Sequence, residues 1–342
     1  MKSRRYQYRL MVSGYKKPLE IFAFSGEEAF SRPFCYTIDI THLANTVTAR
    51  QLMMKPATLM LQAPAIRCCG ANWQTPQREI HGIITCVHQL ADDQNQYQIC
   101  LQPRLLQLAG SDKNQLYHDC SVPEVVQQIL SNYRFKNGQQ FIFKLEKEYK
   151  KHKTIKQQQD DLSFISRLLA EHGIWFRFLS NPYLKIDTVI FYDHQRHESS
   201  PLSLPNTPEN TIYKNGHTSV WGLSHHHQQH SSGKPYFSGN SNNIMLTPGR
   251  HLQVLANDIN TTRNDSMMIV GICCSAKYDG DFSLNFSAIP YSLDEHLHPS
   301  LLEPPKLANN GSASAAHYRH GLETHHTDTA NNTLINNRLI PA

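Results

Sequence analysis

Apolar and polar residues alternate through the first hundred positions of the chain, which is the pattern of strands with one buried face. In the run that begins at Pro33, the residues Phe34, Tyr36, Ile38 and Ile40 fall on one face. Six runs of this kind lie before residue 110, at positions 6–12, 19–24, 34–40, 56–61, 78–90 and 97–108. Several short strands in one continuous stretch predict a small antiparallel β-barrel or sandwich.

The pattern changes to helical spacing after residue 120. Ser121 is suited to cap the first N–H groups of a helix, Glu124 completes a capping box, and Pro123 lies in the first turn, where its missing N–H is not needed. Apolar residues then recur on one helical face, at Val122, Val125, Val126, Ile129 and Leu130. The sequence therefore predicts an amphipathic helix that begins directly after Ser121.

A second helix is predicted from about residue 160 to residue 172. Asp160 or Asp161 caps its start and complements the helix dipole, and Gly173 ends it where a left-handed backbone is needed. Its apolar stripe consists of Leu162, Ile165, Leu168 and Leu169. Residues 174–178 return to strand spacing, so the two helices are predicted to connect two β-rich lobes.

Strand patterns continue beyond this connector, at 184–192, 246–255, 267–278 and 282–289. Prolines punctuate residues 201–208, and residues 206–245 are rich in Asn, Ser, Gly and His, so both stretches are predicted to be loops. The predicted fold class is mainly β with a helical connector (α+β). The predicted units are a first β-barrel lobe at 1–110, the connector at 111–173, a second β-barrel lobe at 174–290 with the polar loop 206–245, and a flexible C-terminal tail at 291–342.

Composition narrows the class of protein. The chain has 342 residues and 39% hydrophobic content, and its apolar runs fall short of the roughly 18 residues that a membrane-spanning helix needs. The basic N-terminus lacks the apolar segment of a secretory signal peptide. The net charge is only +5, and the lysines between Lys144 and Lys156 alternate with Glu146 and Glu148, which indicates a solvated face. We therefore expect no nucleic-acid partner and no stable membrane insertion.

Eight cysteines raise the question of disulfides. Without a secretory signal, we expect these cysteines to stay reduced. Cys68–Cys69 and Cys273–Cys274 are adjacent pairs, which is not the spacing of zinc sites or thiol redox sites. They are predicted to be small core residues on strands.

Candidate chemistry is sparse. The sequence lacks the nucleophile elbow, the zinc-protease helix motif, the phosphate-binding loop and the dinucleotide-binding glycine pattern, so no catalytic or cofactor-binding residue is predicted. The weak candidates for metal ligands are His225, His226, His227 and His230. His226 and His230 have the i, i+4 spacing of a helix, and His296 and His298 form an alternate pair. The alternative is a solvent-exposed histidine-rich loop.

Trp175 and Trp221 are predicted to lie in different environments. Trp175 follows the second helix and is predicted to lie in the core or at a lobe interface. Trp221 lies in the predicted polar loop, where its indole either anchors a partner or packs locally. The sequence leaves these alternatives open.

A family resemblance is carried by six stretches in a fixed order. They are FSRPFCY at 30–36, PATLML at 56–61, REIHGII at 78–84, YQICLQPRLLQL at 97–108, SVPEVVQQIL at 121–130 and DDLSFISRLLAEHGIWF at 160–176. Together they resemble the N-terminal hub region of the valine–glycine repeat (VgrG) spike proteins of type VI secretion systems, which is similar to the tail hubs of contractile phages. TPGRHLQV at 247–254 and MIVGI at 268–272 resemble the close of the second hub barrel. Family members usually continue into a needle, so the chain resembles a hub truncated before the needle.

The resemblance implies a structural part with a tail-hub-like fold, no enzymatic activity and no cofactor. Related hubs form homotrimers in which two barrel lobes per chain make a pseudo-sixfold ring. That ring seats on a hexameric tube protein and carries a needle or tip protein with effectors. Such a part assembles in the bacterial cytoplasm and leaves the cell on firing without a signal peptide. The alternatives are a prophage contractile-tail baseplate hub and a secreted metal-dependent hydrolase effector.

The residues carried over from the family motifs are expected to have structural roles. They are Phe30, Ser31, Arg32, Pro33, Phe34, His81, Gly82, Pro103, Pro123, Asp161 and Gly173. Among them, His81 belongs to a strand pattern, and we expect it to be structural rather than a general base.

Overall fold

The computed structural model describes twelve stretches of the chain. They are residues 6–15, 19–41, 49–64, 66–67, 73–74, 76–90, 96–195, 200–208, 218–226, 236–255, 265–278 and 282–291. Strands account for much of these ranges, which confirms the mainly β class. Within the same ranges, no helix combines the length and the apolar character needed to cross a membrane.

Six of the first eight strands close into a barrel. The eight strands are β1 (Gln7–Val12), β2 (Leu19–Ala29), β3 (Arg32–Thr41), β4 (Pro56–Gln62), β5 (Ile66–Arg67), β6 (Trp73–Gln74), β7 (Gln77–Gln89) and β8 (Gln96–Gln102), with α1 (Ala49–Leu52) before β4. The barrel order is β1-β4-β7-β8-β3-β2, and antiparallel pairing of β1 with β2 closes it. Phe34, Tyr36, Ile38 and Ile40 are buried, as the alternation predicts. Of the two predicted architectures, this part of the chain is therefore a barrel.

A mixed segment follows the barrel. Its elements are a 3-10 helix (Arg104–Leu108), β9 (Gln115–Cys120), α2 (Val122–Asn132), β10 (Phe141–Lys144), β11 (His152–Gln157), α3 (Asp161–Glu171), β12 (Trp175–Asn181) and β13 (Ile186–Tyr192). β9 and β11 form an antiparallel ribbon, and β13 lies between a parallel β10 and an antiparallel β12. Both predicted helices are confirmed. The sequence pattern does not predict β9 and β11, because most of their side chains are exposed and show no apolar alternation.

The predicted helix ends are present in the structure. The backbone N–H of Ser121 donates to the Glu124 carboxylate over 2.7 Å, which is one half of the capping box. For α3, the cap is Asp160, whose side chain accepts a hydrogen bond from the Ser163 N–H at 3.1 Å. Gly173 has a φ of +71°, so the helix ends in the left-handed conformation that favours glycine.

Six later strands form a second set. They are β14 (Leu202–Pro205), β15 (Val220–His226), β16 (Tyr236–Ser241), β17 (His251–Leu255), β18 (Asp265–Lys277) and β19 (Ser283–Pro290). Their order is β14-β17-β18-β19-β16-β15. An isolated bridge joins Asn206, directly after β14, to Val220 at the start of β15. β18 also pairs with β2, so the two sets share one twelve-stranded sheet.

The loop predictions for residues 201–208 and 206–245 were wrong where β14, β15 and β16 lie. The composition did not indicate these strands, because several of their inward-facing residues are not apolar. In β16, the buried positions are Phe237, Gly239 and Ser241, and the Ser241 hydroxyl donates to the Ser219 carbonyl at 2.7 Å. The unit boundaries at 110, 173 and 290 stay predictions, since the sheet and the hydrophobic core continue from the first strand set into the second. Apart from Tyr291, the predicted tail lies outside the described residues.

One cysteine pair contradicts the expectation of reduced thiols. Cys86 on β7 and Cys100 on β8 form a disulfide. The cause is a register shift between Ile84 and Cys86, which places Cys86 directly opposite Cys100. Cys274 is buried on β18, as predicted for a core residue, whereas its neighbour Cys273 is only half-buried. Cys68 and Cys69 lie outside the described residues.

Candidate functional site

The turn between β2 and β3 inserts into the boundary between the two strand sets. Phe30 at this turn is fully buried, and its ring centroid lies 4.3 Å from that of Trp175 on β12. The Trp175 indole in turn stacks on Tyr192 at 4.7 Å. The Phe30 N–H donates to the Val270 carbonyl on β18 at 3.0 Å. We call Phe30, Trp175, Tyr192 and Val270 the junction; it holds Trp175 in the core, which confirms that prediction.

The residues after Phe30 extend this contact. Ser31 has a φ of +55°, and its N–H donates to the Phe176 carbonyl at 2.8 Å. Arg32 and Pro33 begin β3, and the Phe34 ring packs edge-on against Phe178 at 5.4 Å. The motif therefore turns the chain and binds β12 at the same time.

A nearly buried ion pair joins β2 to β7 inside the first barrel. The Arg78 guanidinium on β7 contacts the Glu28 carboxylate on β2, and the Tyr36 hydroxyl donates to the same carboxylate. Arg78 also reaches the carbonyls of Ile244 and Leu246, each at 3.5 Å, in the segment that leads from β16 to β17. Burial raises the pKa of Tyr36, and the nearby Cys274 thiol and Glu28 carboxylate add to the rise. Hydrogen bonds from Arg78 to these carbonyls thus tie the first barrel to the second strand set, and Glu28 holds the Arg78 side chain.

His81 and Gly82 lie where β7 contacts its neighbours closely. The His81 ring is buried, its Nδ1 lies 2.8 Å from the Thr58 hydroxyl, and its Nε2 lies 3.6 Å from the Glu79 carboxylate. Burial lowers the pKa of His81, which favours the neutral imidazole. At Gly82, a Cβ atom would lie 2.5 Å from the Gln102 carbonyl oxygen, so only glycine fits between the paired strands.

Asp161 is the centre of a polar cluster and does not cap α3. Its carboxylate contacts the Lys113 ammonium and accepts hydrogen bonds from the Tyr133 hydroxyl at 2.7 Å and the Gln157 amide at 2.6 Å. Burial acts to raise the pKa of Asp161, but these donors outweigh burial and lower it. The sequence left Asp160 and Asp161 open as the cap, and the structure gives that position to Asp160. The cluster joins α3 to the end of α2 and to β11.

Pro103 and Pro123 each lie at the start of a helix. Pro103 is buried directly before the 3-10 helix, and the following Arg104 N–H donates to the Asp187 carboxylate on β13 at 2.9 Å. Burial raises the pKa of Asp187 to about 6, although the Arg104 N–H opposes the rise. Pro123 lies in the first turn of α2, as predicted.

The histidine candidates do not gather. His225 and His226 lie on the strand β15. The helical spacing predicted for His226 and His230 was therefore wrong at His226, which is not on a helix. His225 contacts the Phe237 ring at 4.4 Å, whereas His226 stacks on Tyr236 and lies 2.8 Å from the Ser238 hydroxyl. Their positions in the part of the chain that the structure describes bring no three potential metal ligands together. His227, His230, His296 and His298 lie outside that part.

Trp221 packs locally. It lies on β15 with an exposed fraction of 6%, so the alternative of an exposed anchor was wrong. Trp221 belongs to β15, which pairs with β16. The polar composition of residues 206–245 did not indicate this neighbouring strand.

Two site features escaped sequence reasoning. Glu28 and Arg78 are fifty positions apart, and each falls inside an alternating strand that gives no sign of a charged partner. Arg177 donates to the Pro248 carbonyl at 3.1 Å and to the Tyr192 hydroxyl at 3.2 Å. The Thr-Pro-Gly-Arg stretch at 247–250 is the only signal that could have marked this second contact.

Sequence comparisons place this arrangement among known proteins. The family model described as phage tail baseplate hub (GPD) matches residues 27–233. The type VI secretion system spike protein VgrG4b of Pseudomonas aeruginosa is 28% identical over 181 residues, which are 50% of this chain and 20% of that protein. VgrG2a of the same organism is 25% identical over 217 residues, 61% of this chain and 24% of that protein. The chain therefore spans about a quarter or less of the length of these relatives.

Solved structures share the fold. A protein of Escherichia coli, c3393, matches with a TM-score of 0.70 and 30% identity over 87% of this chain and 81% of that chain. It is described as a type VI secretion component that is structurally similar to the T4 bacteriophage tail proteins gp27 and gp5. A tail protein of Neisseria meningitidis matches with a TM-score of 0.54 at 8% identity, over 87% of this chain and 99% of that chain, and shows the fold alone.

Proposed function

Because this chain belongs to the phage tail baseplate hub (GPD) family, we propose that it is a structural hub of a type VI secretion spike and has no catalytic role. The observation that carries this proposal is the match to the Escherichia coli secretion component over most of both chains. The tightly packed junction suits such a part, since side chains there are used for packing and leave no open chemical centre.

The proposed assembly is a homotrimeric ring on a hexameric tube protein. The two linked six-stranded sets support this idea, because three chains with two similar lobes offer six docking surfaces. In this proposal, residues 1–110 and 174–290 are the two lobes, and residues 111–173 connect them. The hydrogen bonds from Arg78 to the Ile244 and Leu246 carbonyls, together with the junction, would keep the two lobes in one orientation, which a flat ring needs.

The further partners are also proposals. A needle or tip protein with effectors would bind the face of the ring opposite the tube. The ring would assemble in the bacterial cytoplasm and leave the cell when the device fires. A prophage tail hub is the second candidate, favoured by the family model, which is described as a phage tail baseplate hub.

Light scattering and tube binding test the proposal together. The purified chain is measured alone and with hexamers of a type VI tube protein or of a phage tail tube protein. Three copies of the chain per tube end are expected with the type VI protein. Binding only to the phage protein would favour the prophage hub. A chain that stays monomeric with both tube proteins and binds neither would contradict the hub function.

A Phe30→Ala variant links the test to the structure. It removes the ring at the junction, so tube binding should weaken if a fixed lobe orientation is needed. Phe22→Ala is the matched control, because Phe22 is on β2, the strand that leads to Phe30, but half of its surface is exposed. Circular dichroism confirms that both variants are folded before binding is compared.

A further inference from the structure

The β9–β11 ribbon has an unused strand edge. Among the strands that the structure describes, β11 pairs with β9 alone. A strand with one unpaired edge presents a row of N–H and C=O groups that another extended segment is able to pair with. This feature lies outside the junction and the buried ion pair.

Positive charge surrounds this edge. The segment 144–156 contains six lysines and two glutamates. Five of these lysines are exposed: Lys147, Lys150, Lys151, Lys153 and Lys156. Lys151 approaches Glu124 at 3.5 Å, but both side chains are about half exposed or more, so water screens this pair. We call these five lysines and β11 the basic edge.

The basic edge is held on a fixed backbone. The buried carboxylate of Asp193 accepts hydrogen bonds from the N–H groups of Glu146 and Lys147, each at 2.9 Å, and from the Tyr149 hydroxyl at 3.1 Å. These bonds anchor the segment that leads into β11. A surface that is already ordered loses less conformational entropy when a partner binds.

The lysines of the basic edge determine which kinds of strand are able to pair with β11. Lysines on an edge strand repel a second copy of the same edge, so they prevent self-pairing. The same lysines attract a segment of opposite charge. Leu116 on β9, opposite Lys156, is half exposed and offers an apolar contact on one face of the ribbon. Nucleic acid fits less well, since it has no peptide backbone to pair with the N–H and C=O groups of the β11 edge.

We propose that the basic edge binds an acidic, extended polypeptide segment of a partner protein, which adds to β11 as a third strand of the ribbon. Main-chain hydrogen bonds would supply affinity, and the lysines would supply selectivity for Glu or Asp side chains. The proposal does not depend on the trimer or on tube binding. It gives the chain a second docking surface on the segment between the two strand sets.

Fluorescence anisotropy with the full chain tests this proposal. The probe is a labelled peptide of alternating glutamate and valine, which is acidic and favours an extended conformation. Binding that weakens with added salt is expected. A lysine–valine peptide should not bind. A glutamate–valine peptide that is methylated on every backbone nitrogen keeps the charge but lacks all N–H donors, so it should bind at least about tenfold more weakly.

Charge reversal provides the matched pair of variants. Lys153→Glu with Lys156→Glu should reduce affinity for the glutamate–valine peptide by about tenfold or more. Lys185→Glu changes an exposed lysine on the distant β12–β13 turn and should leave the affinity unchanged. All three sites are exposed, so the variants should fold.

Three results would overturn the proposal. The first is equal affinity of the wild type and the Lys153→Glu/Lys156→Glu variant. The second is equal binding of the glutamate–valine peptide and its N-methylated form, which would show attraction by charge without strand pairing. The third is tighter binding of single-stranded DNA than of the acidic peptide under the same salt conditions.

Discussion

The ring of Phe30 and the indole of Trp175 lie 4.3 Å apart, although 145 positions separate them in the chain. Phe30 belongs to a turn of the first barrel, and Trp175 begins the strand that follows the last helix. One aromatic contact therefore joins two regions that the sequence pattern describes separately. Several expected outcomes depend on such long-range contacts.

Loss of the Phe30 ring should destabilise the protein strongly. Phe30→Ala leaves a cavity against Trp175, so the free energy of unfolding should fall by about 3–5 kcal/mol. Urea unfolding followed by tryptophan fluorescence measures the change. Phe22→Ala on the preceding strand β2 should change stability by no more than about 0.5 kcal/mol, because Phe22 is half exposed. Equal effects of the two substitutions would refute the role given to the junction.

The Glu28–Arg78 pair should show strong coupling. Arg78→Met leaves the Glu28 carboxylate buried without its cation, and the expected loss is about 3–5 kcal/mol. Adding Glu28→Gln removes that charge, so the double variant should be more stable than the sum of the single effects predicts. Arg167→Met, which breaks an exposed pair with Glu171, should cost at most about 0.5 kcal/mol.

Asp187 should make stability depend on pH in the mildly acidic range. Its pKa in the folded protein is about 6, above the ordinary value of 3.8, so the folded state binds more protons between these values. Stability from this group is fully present below pH 3.8 and is lost as pH rises through about 6. Asp187→Asn should remove the slope and raise the free energy of unfolding at neutral pH by about 3 kcal/mol, because the pKa rises from 3.8 to about 6 and each pKa unit corresponds to about 1.4 kcal/mol.

The measurement is denaturant unfolding of the wild type and Asp187→Asn between pH 4 and pH 7, the range set by the two pKa values. Asp119→Asn is the control, because Asp119 is exposed and its left-handed backbone also suits asparagine. Identical slopes for the wild type and Asp187→Asn would show that Asp187 does not carry the effect.

Asp160 and Asp161 should differ sharply despite their adjacency. Asp161→Asn loses the charge that Lys113 and Tyr133 contact, and we expect a loss of about 2 kcal/mol. Asp160→Asn keeps a good capping residue and should change stability little. The pKa of Asp161 is lowered, so its contribution is present above the ordinary carboxyl pKa and disappears as pH falls through the lowered value. Thermal unfolding across acidic pH measures both effects.

The Cys86–Cys100 disulfide should stabilise the barrel in oxidising buffer. The cysteines are 14 positions apart, and a loop of this length corresponds to about 3 kcal/mol. Non-reducing peptide mapping should find the link, and dithiothreitol should lower the melting temperature. A Cys86→Ala/Cys100→Ala variant should melt at the same temperature with and without dithiothreitol. A wild type that also shows no response would contradict the prediction.

Sequence patterns predicted elements that are defined locally. Ser121, Glu124 and Gly173 act on backbone groups within one helical turn, so their roles follow from short spacing. The barrel strands follow from alternation because their inward residues are large and apolar. The motifs that indicated the hub family lie within residues 30–176, among these strands and helices, and the family model matches residues 27–233.

The features that were missed depend on distant partners. β16 is a strand because β15 and β19 pair with it on both sides, although Gly239 and Ser241 occupy inward positions. Asp161 is a residue type that is suited to cap a helix. The contacts that Lys113 and Gln157 make with its carboxylate place it at the centre of a polar cluster instead. The disulfide needs a register shift that spacing in the sequence does not encode.

The strand β2 belongs to the first barrel and also pairs with β18, which the ribosome makes much later. At about 5–20 residues per second, the edge of β2 stays open for on the order of tens of seconds during translation. Until β18 arrives, a nascent chain exposes a hydrogen-bonding edge that other chains are able to occupy. Slow accumulation of the protein, or a chaperone that covers the β2 edge, would limit such pairing between chains.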